Sequence, residues 1–296
     1  MGTWRPARPG RDETLVVRGL PHHVLRWGPD ATDPIVLLHG FADCAATFQF
    51  VVDELPADWP LVAFDWRGFG DSGRNPDGYW FPDYYADLEA LLDALCPGRP
   101  ARLVGHSMGA NVAMVYAGLR PSRVAALVNL EGIGLARTEP AQAPDRLVTW
   151  LDEVKADAPP AEYASVAALA ERVAKRNPRL PPARAAFIAA CWSRPSPGGG
   201  VHLHTDPRHR RANPYIYRRE EMEACWRRIE APVLLVMAGE SDHAARLEAA
   251  GGVASLRALV RKLELATVAG AGHMLHHDEP RAVARLIEDF FGRHRP

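Results

Sequence analysis

Residues 103–111 read LVGHSMGAN, an apolar run that stops on Ser107 between Gly105 and Gly109. A serine hydroxyl is a weak nucleophile until a neighbouring base takes its proton. It must also stand clear of the backbone to reach a substrate carbon. The spacing Gly105-His106-Ser107-Met108-Gly109 meets that second condition if the chain leaves a strand, turns sharply and enters a helix, because the glycines leave room for a tight backbone. An ordinary turn uses the same residue types. A base, an orienting acid and oxyanion donors must therefore come from elsewhere in the chain.

The stretch VAGAGHMLHHDEP (268–280) offers three histidines. His273 is favoured as general base because its flanking glycines let the loop reach over a sheet edge, whereas His276 and His277 fall at the start of the last helix. The oxyanion of a tetrahedral intermediate needs backbone N–H groups, one just after the nucleophile and one from a loop after an earlier strand. The elbow and the stretch LLHGFAD (37–43) assign these to Met108 and Phe41, with His39 organising the loop rather than acting as a base. For the acid, VMAGESDHA (236–244) places Asp242 just past a strand, giving the chain order serine, acid, histidine. LVNLEGIG (127–134) offers Glu131 at the end of the preceding strand as the alternative. Asp242 is preferred and both stay open, since Asp242 is equally suited to capping a helix.

The elements that must carry these residues follow from hydrophobic patterning. TLVVRG (14–19) and HHVLRWG (22–28) read as a hairpin. The runs at 34–40, 60–68, 101–107 and 124–132 are bounded and continuously apolar, as strands buried on both faces are. Helices are predicted at 46–55, 83–96 and 109–119. The pattern changes at 133: the Ala-, Arg- and Pro-rich stretch to 228 shows no strand, only helical patches at 145–156, 161–176, 182–192 and 218–228, separated by breaks such as DAPP (157–160). Strands at 231–240 and 262–270 and helices near 243–261 and 279–293 then restore it. The expected fold class is α/β, a mostly parallel central sheet flanked by helices with right-handed crossovers. Its domains are a core in two parts, 1–132 and 229–296, split by a helical insertion over 133–228.

Bulk properties narrow the functional classes. The chain has 296 residues, 47% of them hydrophobic and 24% charged, with a formal net charge of −1. That composition suits a globular core and gives no electrostatic reason to expect nucleic acid or an acidic membrane surface. Cys44, Cys96, Cys191 and Cys225 are scattered without a C-x-x-C pair, pointing to buried free thiols rather than a metal site or disulfide framework. No apolar run reaches the length of a bilayer, MGTWRPARPG lacks the apolar segment of a secretory signal, and Pro6 stands where myristoylation requires Ser or Thr. The expectation is a soluble, cytoplasmic protein that acts on a small molecule without a cofactor. The sequence is silent on oligomeric state.

Together, His39-Gly40, DWRGFGDSG (65–73), the elbow, GESD (239–242) and GAGH (270–273) resemble the α/β-hydrolase superfamily over nearly the whole chain. The resemblance implies a lid inserted after the sixth sheet strand, a structural role for DWRGFGDSG and a serine esterase or lipase-like activity. Glu131 occupies a position that looks like the acid of some haloalkane dehalogenases. Ser107 in place of an aspartate nucleophile disfavours dehalogenases and epoxide hydrolases. His106 and Met274, where carbon–carbon hydrolases usually have Asn and Trp, weaken that reading. A carbon–carbon hydrolase, a perhydrolase and a slow-turnover ligand receptor remain the alternatives to hydrolysis of a small to medium apolar ester. HLHTDPRHRR (202–211) imitates a zinc motif, but Pro207 interrupts it and no further ligand cluster stands at useful spacing. A loop bonded to backbone and solvent is the expected state.

Overall fold

The bounded apolar runs assemble into one eight-stranded sheet. In the computed structural model, which describes residues 4–156, 159–249 and 251–294, six strands come first: β1 (Arg11–Val17), β2 (Leu20–Trp27), β3 (Ile35–Leu38), β4 (Leu61–Phe64), β5 (Ala101–His106) and β6 (Val124–Leu130). The segment 131–232 carries three short strands, β7 (Glu162–Tyr163), β8 (Ser193–Pro195) and β9 (Val201–Leu203), before β10 (Val233–Ala238) and β11 (Leu263–Val268) return to the main sheet. Its order is β1-β2-β4-β3-β5-β6-β10-β11. Strand β2 runs antiparallel to β1 and β4, and the remaining pairs are parallel. The helices are α1 (Gln49–Val52), α2 (Phe81–Leu95), α3 (Met108–Leu119), α4 (Ala143–Lys155), α5 (Val166–Arg176), α6 (Pro182–Cys191), α7 (Arg219–Trp226), α8 (Asp242–Ala249), α9 (Gly252–Leu259), α10 (Leu275–Asp278) and α11 (Pro280–Arg293).

Alternation along each strand builds a core on both faces of the sheet. On β3, Val36 and Leu38 join Leu88 and Leu91 of α2 and Val112 and Met114 of α3. Ile35 and Leu37 face the opposite side, with Val51 and Val52 of α1 and Val283, Ile287 and Phe290 of α11. Every residue of β3 and β4 is buried, which explains why their sequences are apolar throughout rather than alternating. Each such side chain contributes roughly 1.5–3 kcal/mol, so the centre of the sheet is a stiff platform for the loops at its edge. Among the described residues no helix is long and apolar enough to cross a membrane.

The segment 131–232 departs from its purely helical expectation. Strands β7, β9 and β8 form a small antiparallel sheet in that order. The β8–β9 connection closes with Ser196 N–H donating to Gly200 O at 3.1 Å and with Gly199 and Gly200 at positive φ. Strands of two or three residues are too short to leave a period-two signal. Helices α5 and α6 pack together through Leu169, Val173, Ile188 and Ala189, with Phe50 of α1 in the same cluster. Helix α4 buries none of its residues and leaves Leu147, Val148 and Leu151 exposed. Helix α7, read as part of the insertion, packs on the main core: Trp226 joins the cluster of Val112 and Met114, and a Cβ on Gly118 of α3 would lie 2.0 Å from Cys225 O. The single helix expected near 243–261 is two, α8 and α9, the latter preceded by Gly251 at φ 81°. Residue 250 between them, and residues 157 and 158 of the expected break, lie outside the described residues.

Candidate active site

Strand β5 delivers Ser107 to the sheet edge, and α3 begins at the next residue. Ser107 has φ 49° and ψ −110°, a backbone conformation rarely adopted by a residue with a Cβ, which costs of order 1–3 kcal/mol. The glycines on either side permit it. A Cβ on Gly105 would sit 2.6 Å from Ala110 N, and one on Gly109 would sit 2.3 Å from Leu38 O. The elbow is thus wedged between its own helix and the loop after β3.

His273, in the turn between β11 and α10, meets this serine. Its Nε2 lies 3.0 Å from Ser107 Oγ, and its Nδ1 lies 2.7 Å from Glu131 Oε2. A carboxylate can only accept, so Nδ1 carries the proton and Nε2 presents a lone pair to the serine hydroxyl. The acid beside His273 is therefore Glu131 and not Asp242, which corrects the preference for Asp242. Register explains the outcome. Leu130 pairs with His106 on one side and with Val236 on the other, so Glu131 comes next to Ser107 at the strand end, between β5 and β10. Glu131, itself at φ 56°, is buried. Its Oε1 accepts from Ala238 N at 2.8 Å, and its Oε2 accepts also from Ser241 Oγ at 2.8 Å. Asp242 is the first residue of α8 and is exposed. The Asp242 carboxylate is not the cap either: Ser241 Oγ accepts from Ala244 N at 3.1 Å.

The two predicted oxyanion donors flank the serine. Met108 N–H is the first of α3 and so has no partner within its helix; the twelve-residue helix adds its positive end at the same point. Phe41 follows Gly40, and a Cβ on Gly40 would lie 3.3 Å from Ser107 Cβ, which brings the Phe41 peptide close to Ser107. Among the described residues Phe41 N donates to no backbone acceptor. The Phe41 ring is 52% exposed and leans edge-on against Phe69 and His209. His39 has a structural part. Its Nδ1–H donates to Gly40 O at 2.8 Å, its Nε2 accepts from Trp66 N at 3.0 Å, and its carbonyl accepts from Trp66 Nε1. Burial lowers its pKa, so it stays neutral.

The segment DWRGFGDSG braces this loop. Buried Asp65 accepts from Ala45 N at 2.7 Å, from Asp71 N at 2.9 Å and from His23 Nδ1 at 2.9 Å. Arg67 forms a two-toothed pair with Asp87 of α2 at 2.5 Å. His204 and His209 of HLHTDPRHRR dock on the same segment. His209 is sandwiched between Tyr79 and Phe69 at ring distances of 3.6 and 3.9 Å, and burial lowers its pKa to about 3. Asp206 accepts from Tyr79 Oη at 2.8 Å, and His204 Nε2 lies 3.7 Å from Asp71 Oδ1. His204, Asp206 and His209 thus serve separate contacts rather than one centre, and His202 lies on β9.

Metal-ligating types do gather in two places among the described residues: Asp43, His106 and His276, and His23, Asp65 and Asp71. In the first, donor atoms lie within 4.8 Å of one another. Both Asp43 oxygens already face N–H or O–H donors there, and a Cβ on Gly40 would lie 2.6 Å from His106 Nδ1, so the imidazole edge is pressed on backbone. In the second, His23 bridges Asp65 and Asp12 through its two nitrogens.

Sequence reasoning missed four neighbours of this centre. Ser241 holds Glu131. The His243 ring lies 4.3 Å from that of His273. His106 Nε2–H donates to His273 O at 2.9 Å, and Asp43 lies beyond His276. A glutamate closing an apolar strand was a usable signal, since a buried carboxylate must find donors.

A family model described as the α/β hydrolase fold matches residues 33–280. A serine hydrolase-like protein of Danio rerio is 43% identical over 115 residues, which is 38% of this chain and 35% of that protein. A 2-(acetamidomethylene)succinate hydrolase of Mesorhizobium japonicum is 28% identical over 258 residues, 87% of each chain. Among solved structures, the thioesterase domain from the curacin biosynthetic pathway superposes with a TM-score of 0.81 at 26% identity, covering 94% of this chain and 98% of that one.

Proposed function

From the premise that the chain belongs to the α/β-hydrolase fold family, we propose that it is a serine hydrolase that cleaves a carboxylic ester through an acyl-enzyme. The observation that carries the reading is the unbroken hydrogen-bonded line from Ser107 Oγ through His273 to Glu131. Ser107 Oγ attacks the ester carbonyl carbon as its proton passes to His273 Nε2. The imidazolium formed keeps its Nδ1–H on Glu131, whose carboxylate stabilises the new charge without taking the proton. The N–H groups of Phe41 and Met108 bind the oxyanion. His273 returns its proton to the departing alkoxide, leaving Ser107 acylated. Water then gives a proton to His273 and attacks the acyl carbon, and collapse of the second tetrahedral intermediate frees the acid and restores the hydroxyl. These steps run on protein groups and water.

The segment 133–228 acts as the lid of this site and sets access to it. Two contacts support that role: His209 lies against Phe41, and Arg184 of α6 donates to His277 O at 3.0 Å. Substrate therefore enters between the lid and the sheet edge. One comparison favours a second reading. The Mesorhizobium relative, matched along 87% of its length, is named for an acetamido-substituted dicarboxylate, so a charged substrate of that kind competes with a simple apolar ester.

Hydrolysis of p-nitrophenyl esters from acetate to decanoate, by wild type and by Ser107→Ala, tests the proposal. Turnover abolished by the substitution supports it, and the chain-length optimum sizes the acyl pocket. A folded protein that labels at Ser107 with a fluorophosphonate but turns over no ester in the series refutes ester hydrolysis in favour of the second reading or a receptor role.

A further inference from the structure

We propose that Asp43 is a positioning residue that holds the oxyanion loop, the turn carrying His273 and the lid segment in one fixed arrangement; this deepens the serine-hydrolase reading and rests on it. Asp43 lies two residues after Phe41, and its N–H closes a turn on Gly40 O at 3.4 Å. Its carboxylate is only 2% exposed. Oδ1 accepts from Cys44 N at 2.9 Å, Thr47 Oγ1 at 2.7 Å and Trp192 Nε1 at 2.9 Å. The first two fold the oxyanion loop, and the third comes from the lid segment. Oδ2 faces His276 Nε2 at 3.3 Å and His277 Nε2 at 3.6 Å, on the helical turn that follows His273. The His276 ring in turn lies tilted against His106 at 4.3 Å, and His106 donates to the carbonyl of His273. The backbone around the base is thereby gripped from two sides.

The grip uses the full acceptor capacity of a carboxylate. Burial alone would raise the Asp43 carboxyl, but His277 and His276 outweigh it and hold the group well below the ordinary carboxylate range. Three donors converge on Oδ1, and His276 Nε2 reaches Oδ2. An asparagine there keeps one acceptor oxygen, and with that oxygen on the Oδ1 donors its NH₂ faces His276 Nε2. Either the His276 imidazole must then change tautomer or the turn bearing His273 must shift. A misplacement of about 1 Å in a catalytic constellation costs on the order of 100-fold in rate.

The test compares wild type, Asp43→Asn and Trp192→Phe on p-nitrophenyl butyrate, with active sites counted by fluorophosphonate titration and affinity measured for a trifluoromethyl ketone that adds to Ser107 as an oxyanion. Asp43→Asn is expected to lose about 100-fold in kcat per titrated site with KM within about 3-fold, and to lose ketone affinity in parallel. Trp192→Phe removes one donor and leaves the carboxylate in place. It keeps the test decisive if the first variant does not fold, and it is expected to show the same pattern at about 5- to 10-fold. Variants with lower melting temperature or fewer titratable sites, but wild-type kcat per site, would overturn the inference alone. A wild type that neither turns over esters nor takes up the fluorophosphonate would overturn the hydrolase reading as well.

Discussion

Exchanging Glu131 for glutamine tests the arrangement of the site most sharply, because the replacement is nearly isosteric and the structure fixes what it does. In the wild type one carboxylate accepts three hydrogen bonds, from Ala238 N, Ser241 Oγ and His273 Nδ1. The Ala238 N–H cannot reverse its role, so the amide oxygen of the replacement side chain must take the Oε1 place. Its NH₂ then faces Ser241, whose hydroxyl can rotate to accept, and His273 Nδ1, which can accept only by surrendering its proton. His273 is driven into the opposite tautomer, with Nε2–H aimed at Ser107. A base in that state cannot take the serine proton. The worked case of a triad acid changed to its amide loses about 10⁴ in kcat, so Glu131→Gln is expected to lose roughly 10³–10⁴, or about 4–5.5 kcal/mol at 1.36 kcal/mol per decade. Asp242→Asn, changing an exposed residue, is expected to stay within about 3-fold of wild type. The assay is steady-state hydrolysis of the best p-nitrophenyl ester, with circular dichroism to establish folding. A folded Glu131→Gln enzyme within 10-fold of wild type, or a 100-fold loss in Asp242→Asn, would refute the assignment.

Two further outcomes follow from the geometry. Gly109→Ala places a methyl 2.3 Å from Leu38 O, a backbone atom that cannot yield without moving β3; a loss of roughly 1–3 kcal/mol is expected, read as a lower urea midpoint, and unchanged stability would show that the elbow has slack. His23 is raised to about 9, chiefly by its hydrogen bond to Asp65, against the lowering effect of burial. Its contribution is thus whole below the unfolded value near 6.5 and disappears as pH rises through about 9. After discount for the solvent-facing Asp12 contact, the stability difference between wild type and His23→Gln should shrink by about 1–2 kcal/mol from pH 6 to pH 9.5, and a difference flat across that range would show that the ion pair contributes nothing.

Ser107 and His273 were legible in the sequence because their signals are local: glycines around a serine at a strand end, and glycines before a histidine after the last strand. The main sheet was legible for a related reason, since strands buried on both faces are apolar throughout. The acid was not. Glu131 and Asp242 both follow strands that end at one sheet edge, and chain order suits either. What separates them is which strand neighbours β5, a fact of lateral pairing that no local window contains. The short strands β7 to β9 escaped for want of length. That helix α7 packs on the core was not legible, because its charged sequence hides the small contact of Gly118 against Cys225. Asp43 stands in the loop after one strand and His106 at the end of another, and only the packing brings both against His276.

The pairing of β6 with β10 has a consequence for how the molecule is made. Leu130 and Val236 become neighbours only after the whole of 131–232 has been synthesised. Closing a loop of about 100 residues costs roughly 4 kcal/mol in chain entropy, and at about 5–20 residues per second the ribosome needs roughly 5–20 s to supply the second strand. Throughout that interval β6 is an open edge, with the backbone donors and acceptors that invite pairing with another chain. Glu131 has by then been made, but Ala238, Ser241 and His273 have not, so its carboxylate must stay in water and keep the strand end from docking. The nascent chain thus passes through a stage in which Ser107 has been made and the partners that bury Glu131 have not. Interruption of synthesis in that stage leaves β6 as an unpaired edge open to another chain.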